Sequence, residues 1–203
     1  MLFSDDYRVP LNEAQSSLRE KGSRFLSFVY PVESEIEVKE RLDNLRKLYP
    51  DASHHCYAYV IGIGSEAQRA NDDGEPANSA GRPILRAILS AQITNVLVVV
   101  VRYFGGTLLG IPGLIQAYGT SAKVALDLAG FKLKLREIEF RVSVDFANEQ
   151  ELHKIASKYN AKIVESLYTD SGLTARIRVK NSMASAFETG ISQHYQLTLI
   201  SPN

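Results

Sequence analysis

Two stretches of the chain concentrate the residue types that do chemistry. Residues 71–85 read NDDGEPANSAGRPIL, and residues 102–119 read RYFGGTLLGIPGLIQAYG. The first offers three carboxylates, Asp72, Asp73 and Glu75, which suit a divalent cation or a general base. The second offers Arg102, Tyr103 and Phe104, followed by Gly105 and Gly106. Arg69, Arg82, Arg86 and Arg102 bracket the two. An arginine beside the free amides of a helix N-terminus can hold a phosphate or a carboxylate. The aromatic pair can stack on a base. An internal reading competes with this one. In it Arg102 forks onto Asp72, Asp73 or Glu75, Phe104 joins the core, and the contact clamps the two stretches together.

Several catalytic motifs fail on named residues. Gly105 and Gly110 have the spacing of a phosphate-binding loop, but Ile111 and Pro112 stand where its lysine and hydroxyl belong. The glycine spacing of a dinucleotide fingerprint is absent. Gly74 comes too early for a calcium loop, and no short pattern around the carboxylates specifies a metal, so none is assigned. His54 and His55 are adjacent and must point to opposite faces of a strand, which argues against a shared metal. His54 and Cys56 share a face without an evident partner. His153 and His194 read as surface positions, and no Gly-x-Ser-x-Gly elbow occurs.

The elements around these stretches follow from periodicity. Residues 23–32 and 54–63 read as strands. Ser34 reads as the N-cap of a helix whose apolar face is Ile36, Val38, Leu42, Leu45 and Leu48, stopped at Tyr49-Pro50. Residues 64–78 start as an edge strand and become a loop. Ser79 or Gly81 caps a helix with Pro83 in its first turn. Residues 95–102 are too continuously apolar for a wet face, so this strand is central and covered on both sides. In an open α/β sheet its carboxyl end, where Arg102 and Tyr103 lie, is where ligands bind. Pro112 or Gly113 opens a helix that ends at Gly130. A second pattern then begins: strand 132–146, helix 148–159, strands 161–168 and 173–179 around a turn, helix 182–190 and strand 195–200. This is β-α-β-β-α-β, the ferredoxin-like order. The boundary is placed near Glu137, giving domains 1–136 and 137–203 of an α+β protein.

Bulk composition narrows the function classes. The 203 residues carry 23 basic and 23 acidic side chains. The first 136 residues hold 16 basic and 15 acidic groups and the remainder 7 and 8, so neither half is a polybasic module. A single cysteine points to a reducing compartment and to a buried, unreactive thiol. No apolar run reaches membrane-spanning length, and the opening MLFSDDYRVP lacks a secretion signal. The expectation is a cytoplasmic protein with no membrane contact.

Taken together, several blocks resemble the IMPACT/YigZ family. They are Lys21-Gly22-Ser23-Arg24-Phe25, His54 to Tyr59, Asp72-Asp73-Gly74-Glu75-Pro76, Ala80 to Leu85, Arg102-Tyr103-Phe104-Gly105-Gly106, Leu109-Gly110, Gly113-Leu114 and Ala117-Tyr118-Gly119. The resemblance implies an N-terminal left-handed βαβ domain like domain IV of elongation factor G and a small-subunit ribosomal protein. It implies a ferredoxin-like C-terminal domain like domain V of that factor. Eukaryotic relatives regulate translation by competing for the activator of a starvation-responsive kinase, through a different N-terminal domain that these residues do not match. For bacterial members the fold pair implies RNA or ribosome contact, or a translation-related protein partner, in translation or stress response. It brings no cofactor and no defined enzymatic activity. The chain departs from the family at Leu108, where a lysine is common, at Ile111-Pro112 and at Gln116. Losing two cations there leaves Arg82 and Arg102 as the main anion contacts. The leading expectation is therefore a non-enzymatic RNA- or ribosome-binding protein using Asp72, Asp73, Glu75, Arg82, Arg102, Tyr103, Gly105 and Gly106. The alternatives are a small-molecule or phosphate-ligand enzyme built on the acidic loop, and a protein-interaction module in which the motif is structural.

Overall fold

A computed structural model describes residues 5–202. The chain divides into two compact units, Tyr7–Lys134 and a second made of residues 135–202 with residues 5 and 6. Both mix helices and sheets, so the protein is α+β.

The first unit is built on a five-stranded sheet of order β2-β3-β6-β4-β5, antiparallel throughout. The strands are β2 (Ala14–Glu20), β3 (Ser23–Pro31), β4 (His54–Ile61), β5 (Ala67–Asn71) and β6 (Val96–Tyr103). β6 is central, and Val96 to Val101 are completely buried. Its side chains alternate between two cores. Val96, Val98 and Val100 pack under α2 (Gly81–Ala91) and α3 (Gly110–Ala129). Leu97, Val99 and Val101 pack under α1 (Glu35–Leu48). A continuous apolar run is thus explained by helices on both faces.

Ser34 caps α1 by accepting the Glu37 amide at 3.3 Å, while Glu37 Oε2 accepts the Glu33 amide at 3.0 Å. The apolar face of α1 is narrower than its spacing predicts. Val38, Leu42 and Leu45 are buried, whereas Ile36 and Leu48 are exposed. α3 starts at Gly110, before Pro112, and Gly130 does cap its end. Two strands escape the periodicity reading, β1 (Asp6–Pro10) and β2. β2 reads AQSSLRE, an edge strand with one large apolar residue, so alternation is invisible in it. The carboxyl-edge rule also lapses. It needs parallel strands with a common carboxyl edge, and antiparallel neighbours alternate their ends.

Residues 132–146 form two strands that break at Arg136. β7 (Phe131–Leu135) pairs with β1, and β8 (Glu137–Asp145) enters the second sheet. The second unit runs β8, α4 (Glu149–Lys158), β9 (Lys162–Thr169), β10 (Gly172–Lys180), α5 (Ala184–Ser192) and β11 (Leu197–Pro202). Its sheet order is β11-β8-β10-β9. Phe140, Val142 and Val144 of β8 share one core with Leu152 and Ile155 of α4 and Phe187 and Ile191 of α5. The β-α-β-β-α-β order is therefore present as a single sheet with both helices on one face.

Candidate functional site

β4 and β6 are neighbours in register, with His54 opposite Arg102 and Cys56 opposite Val100. On the face under α2 and α3 this brings His54, Cys56 and Arg102 together. The acidic loop folds over them, and each of its carboxylates has a separate task.

Asp72 takes the place of a missing cap. The N-cap of α2 is Ala80, which has no side-chain acceptor, so the first amides need a partner from elsewhere. Asp72 Oδ1 accepts from the Ala80 amide at 2.9 Å and the Gly81 amide at 2.8 Å, and Oδ2 accepts from Asn78 at 2.8 Å. The negative charge also suits the helix's positive end. Ser79, a sequence-level cap candidate, instead donates its hydroxyl to the Pro76 carbonyl. Asp73 has positive φ, 43°. Its Oδ2 accepts from the His55 amide at 2.6 Å, its Oδ1 lies 3.5 Å from Arg46, and its carbonyl accepts from His54 Nδ1 at 2.8 Å.

Glu75 is the buried partner of Arg102. Their side chains are 4% and 6% exposed, and Glu75 Oε1 accepts from Arg102 at 2.5 Å and from the Tyr118 hydroxyl at 2.7 Å. His54 Nε2 lies 3.8 Å from the same oxygen. Arg102 also reaches Ser23 Oγ at 3.3 Å, and its guanidinium sits 5.5 Å from the ring centres of both Phe25 and Phe104. Cys56 Sγ lies 3.0 Å from the Asp72 carbonyl and 3.3 Å from Tyr118. Burial pushes the Cys56 thiol well above its ordinary range, and burial does the same to the Tyr118 phenol. A thiol held protonated is a poor nucleophile.

A cavity of about 420 Å³ opens above the pair. His54, Glu75 and Arg102 line its polar side; Phe104, Leu109, Ile111 and Leu114 line the rest, with Leu108 at its lip. Leu108 is 83% exposed. At the floor Arg102 and Glu75 neutralise each other, Arg102 Nε is buried without a hydrogen-bond partner, and the wall is apolar.

The remaining sequence candidates separate. Tyr103 is half-buried on the opposite face, against the core under α1, because strand neighbours alternate. Arg69 borders a cavity on that face as well, while Arg86 lines the outer groove between α2 and α3. Arg82 is exposed on α2 and does not border the cavity. Phe104 is 48% exposed rather than core. Gly105 is a packing glycine: a Cβ there would lie 1.9 Å from the Gly22 carbonyl carbon. Gly106 has φ of 85° with open space around it. Sequence reasoning left Tyr118, Ser23 and His54 out of the site. Tyr118 carried a usable signal: it lies one helical turn beyond Leu114 on the buried side of α3, and a buried phenol needs an acceptor.

Comparison with known proteins agrees with the sequence blocks. The model of the Impact N-terminal domain matches residues 21–126. An IMPACT family member of Haemophilus influenzae is 32% identical over 161 residues, 78% of each chain. The chain belongs to the IMPACT family. The family member YigZ of Escherichia coli is 33% identical, over 73% of this chain and 74% of its own. A solved structure titled as an hypothetical protein is 27% identical and covers 97% of both chains with a TM-score of 0.68. In this IMPACT-family chain the matched span holds β3 through most of α3, and therefore every residue of the buried network.

Proposed function

We propose that this chain is a non-enzymatic, cytoplasmic binding protein of translation that contacts RNA or the ribosome through its first unit. The observation that carries the reading is the self-neutralised network at the end of β6. Glu75 is spent on Arg102 and Tyr118, Asp72 on the first amides of α2, and Asp73 on His55 and Arg46. A loop whose acids are all committed to backbone amides or to buried side chains of the fold is a rigid support, and it is a weak source of a general base or of metal ligands. This favours binding over the phosphate-ligand enzyme.

The topology supports likening the first unit to domain IV of elongation factor G. β3-α1-β4 steps over β6 with α1 on one face, and β5-α2-β6 steps back over β4 with α2 on the other. Each crossover joins parallel strands, the two run in opposite directions across the sheet, and their helices lie on opposite faces. Because the second strand pair also points opposite to the first, three reversals separate the two crossovers, which supports opposite hands and hence a left-handed crossover beside the common right-handed one. The β-α-β-β-α-β order of the second unit supports the likeness to domain V.

Full-length protein sedimented with ribosomes and titrated with labelled RNA tests the reading. Association is expected at low salt, with log affinity falling against log salt by about 0.7 per contacted phosphate in single strands. Absence of both ribosome and RNA association at low salt overturns it.

A further inference from the structure

With Arg102 buried against Glu75, the cations that meet RNA have to lie elsewhere in the first unit. The pairing register supplies them. Arg19 of β2 lies directly opposite Arg24 of β3, and Arg24 lies directly opposite Tyr103 of β6. Residues directly opposite across a sheet share a face and stand about 5 Å apart. The three side chains therefore form one row across three adjacent strands, on the face that carries α1. Both arginines are exposed and Tyr103 is half-exposed.

Opposed like charges destabilise a sheet, and proteins ordinarily compensate them. The second unit shows this. Its Arg141 and Arg176 are also directly opposite, but Arg176 Nε lies 3.4 Å from Glu139 and 3.3 Å from Glu165. Among the described residues neither Arg19 nor Arg24 has such a carboxylate within 4 Å. Glu20, the nearest acid in sequence, pairs with Ser23 and so points to the other face. Lys21, in the turn between β2 and β3, is exposed and adds a third cation beside the row. A local rule broken without compensation marks a place where an external partner completes the structure.

Resting on the RNA reading above, we infer that Arg19, Arg24 and Tyr103 form an RNA-binding strip. The two guanidiniums take successive phosphodiesters of a single strand, and a base stacks on the open part of the tyrosine ring. The row suits RNA rather than an acidic protein segment because it joins paired cations to an aromatic surface, the combination that single-strand grooves use.

The test is fluorescence anisotropy of the full chain with a labelled oligouridine about twelve nucleotides long. The Arg19→Ala/Arg24→Ala double variant is expected to bind at least about tenfold more weakly at low salt, with the log–log salt slope reduced by about 1.4. Tyr103→Leu is expected to bind about fivefold or more weakly with the slope unchanged. Arg19→Glu turns the repulsive pair into a cross-strand ion pair, so it is expected to raise Tm while abolishing binding, which separates lost contact from lost folding. Arg141→Ala is expected to bind as the unmodified protein does. If the unmodified protein binds and the double alanine variant matches it in affinity and slope, the strip is overturned while the RNA reading stands. If the unmodified protein does not bind the oligonucleotide at low salt, the strip is overturned, and the reading above falls with it only when ribosome sedimentation is also negative.

Discussion

Arg102 and Glu75 act as one unit, and the energetics of a buried ion pair set the cost of breaking it. Removing one partner leaves an uncompensated charge in a site with almost no solvent access. Arg102→Ala is expected to cost about 3–5 kcal/mol in urea denaturation at constant m. A Glu75→Gln/Arg102→Met double variant, which buries no charge, is expected to cost less than the single change, as coupled neighbours do. His55 gives a pH dependence. Burial lowers its pKa below the ordinary 6.5, outweighing the opposing pull of Asp73. The unfolded chain therefore takes up a proton first as pH falls. The stability His55 contributes is full above about pH 6.5 and is lost as pH drops toward the depressed folded value. Melting temperature plotted against pH should fall less steeply on the acid side of 6.5 in His55→Asn. The sequence offered three acids as partners for Arg102 and could not choose among them. Glu75 was selected by the path of the loop: the turn through Asp73 and Gly74, both at positive φ, places Glu75 over β6.

At the scale of elements, helix α2 depends on an acid eight residues before its cap. Asp72→Ala is expected to destabilise the first unit by about 1–2 kcal/mol, and Asp72→Asn, which keeps one acceptor oxygen, by less. Chemical denaturation of the two variants side by side checks the order. The contrast with α1 is physical. Ser34 is adjacent to its helix and was readable as a cap, whereas Asp72 reaches Ala80 and Gly81 only after the chain has turned back. Strand β6 was equally readable, because six consecutive buried aliphatic residues leave little choice but the centre of a covered sheet. Strand β2 was not, because an edge strand with polar residues on both faces has no alternation to detect.

At the scale of the molecule, the second unit takes in residues from the start of the chain. Asp5 accepts from the Ser182 amide at 2.9 Å and from the Ser182 hydroxyl at 2.5 Å, and its carbonyl accepts from the Arg136 amide at 2.7 Å. The Ser182 hydrogen bonds hold its carboxyl below the usual range. Its folded pKa is below the unfolded one, so the contribution is present above about 3.8 and is lost as pH falls further. Asp5→Ala is expected to speed amide hydrogen exchange around residues 180–185 without changing the core of the first unit. A division of the chain by sequence position alone misses this return, since nothing in SDDY marks a partner 177 residues away.

Local choices are legible in the sequence: the apolar strands of both sheets, where Ser34 and Gly130 bound their helices, that β6 is central, and that the tail runs β-α-β-β-α-β. Each is set by a residue's immediate neighbours and their spacing. The sequence also carried the family, through ordered blocks. Tertiary structure alone decided that Arg102 pairs with Glu75, that Arg102 and Tyr103 serve opposite faces, and that the sheet is antiparallel. It alone set Arg19 against Arg24. Those outcomes depend on register and on loop paths that join residues far apart in the chain, and strand register is a property of pairs that no single segment encodes.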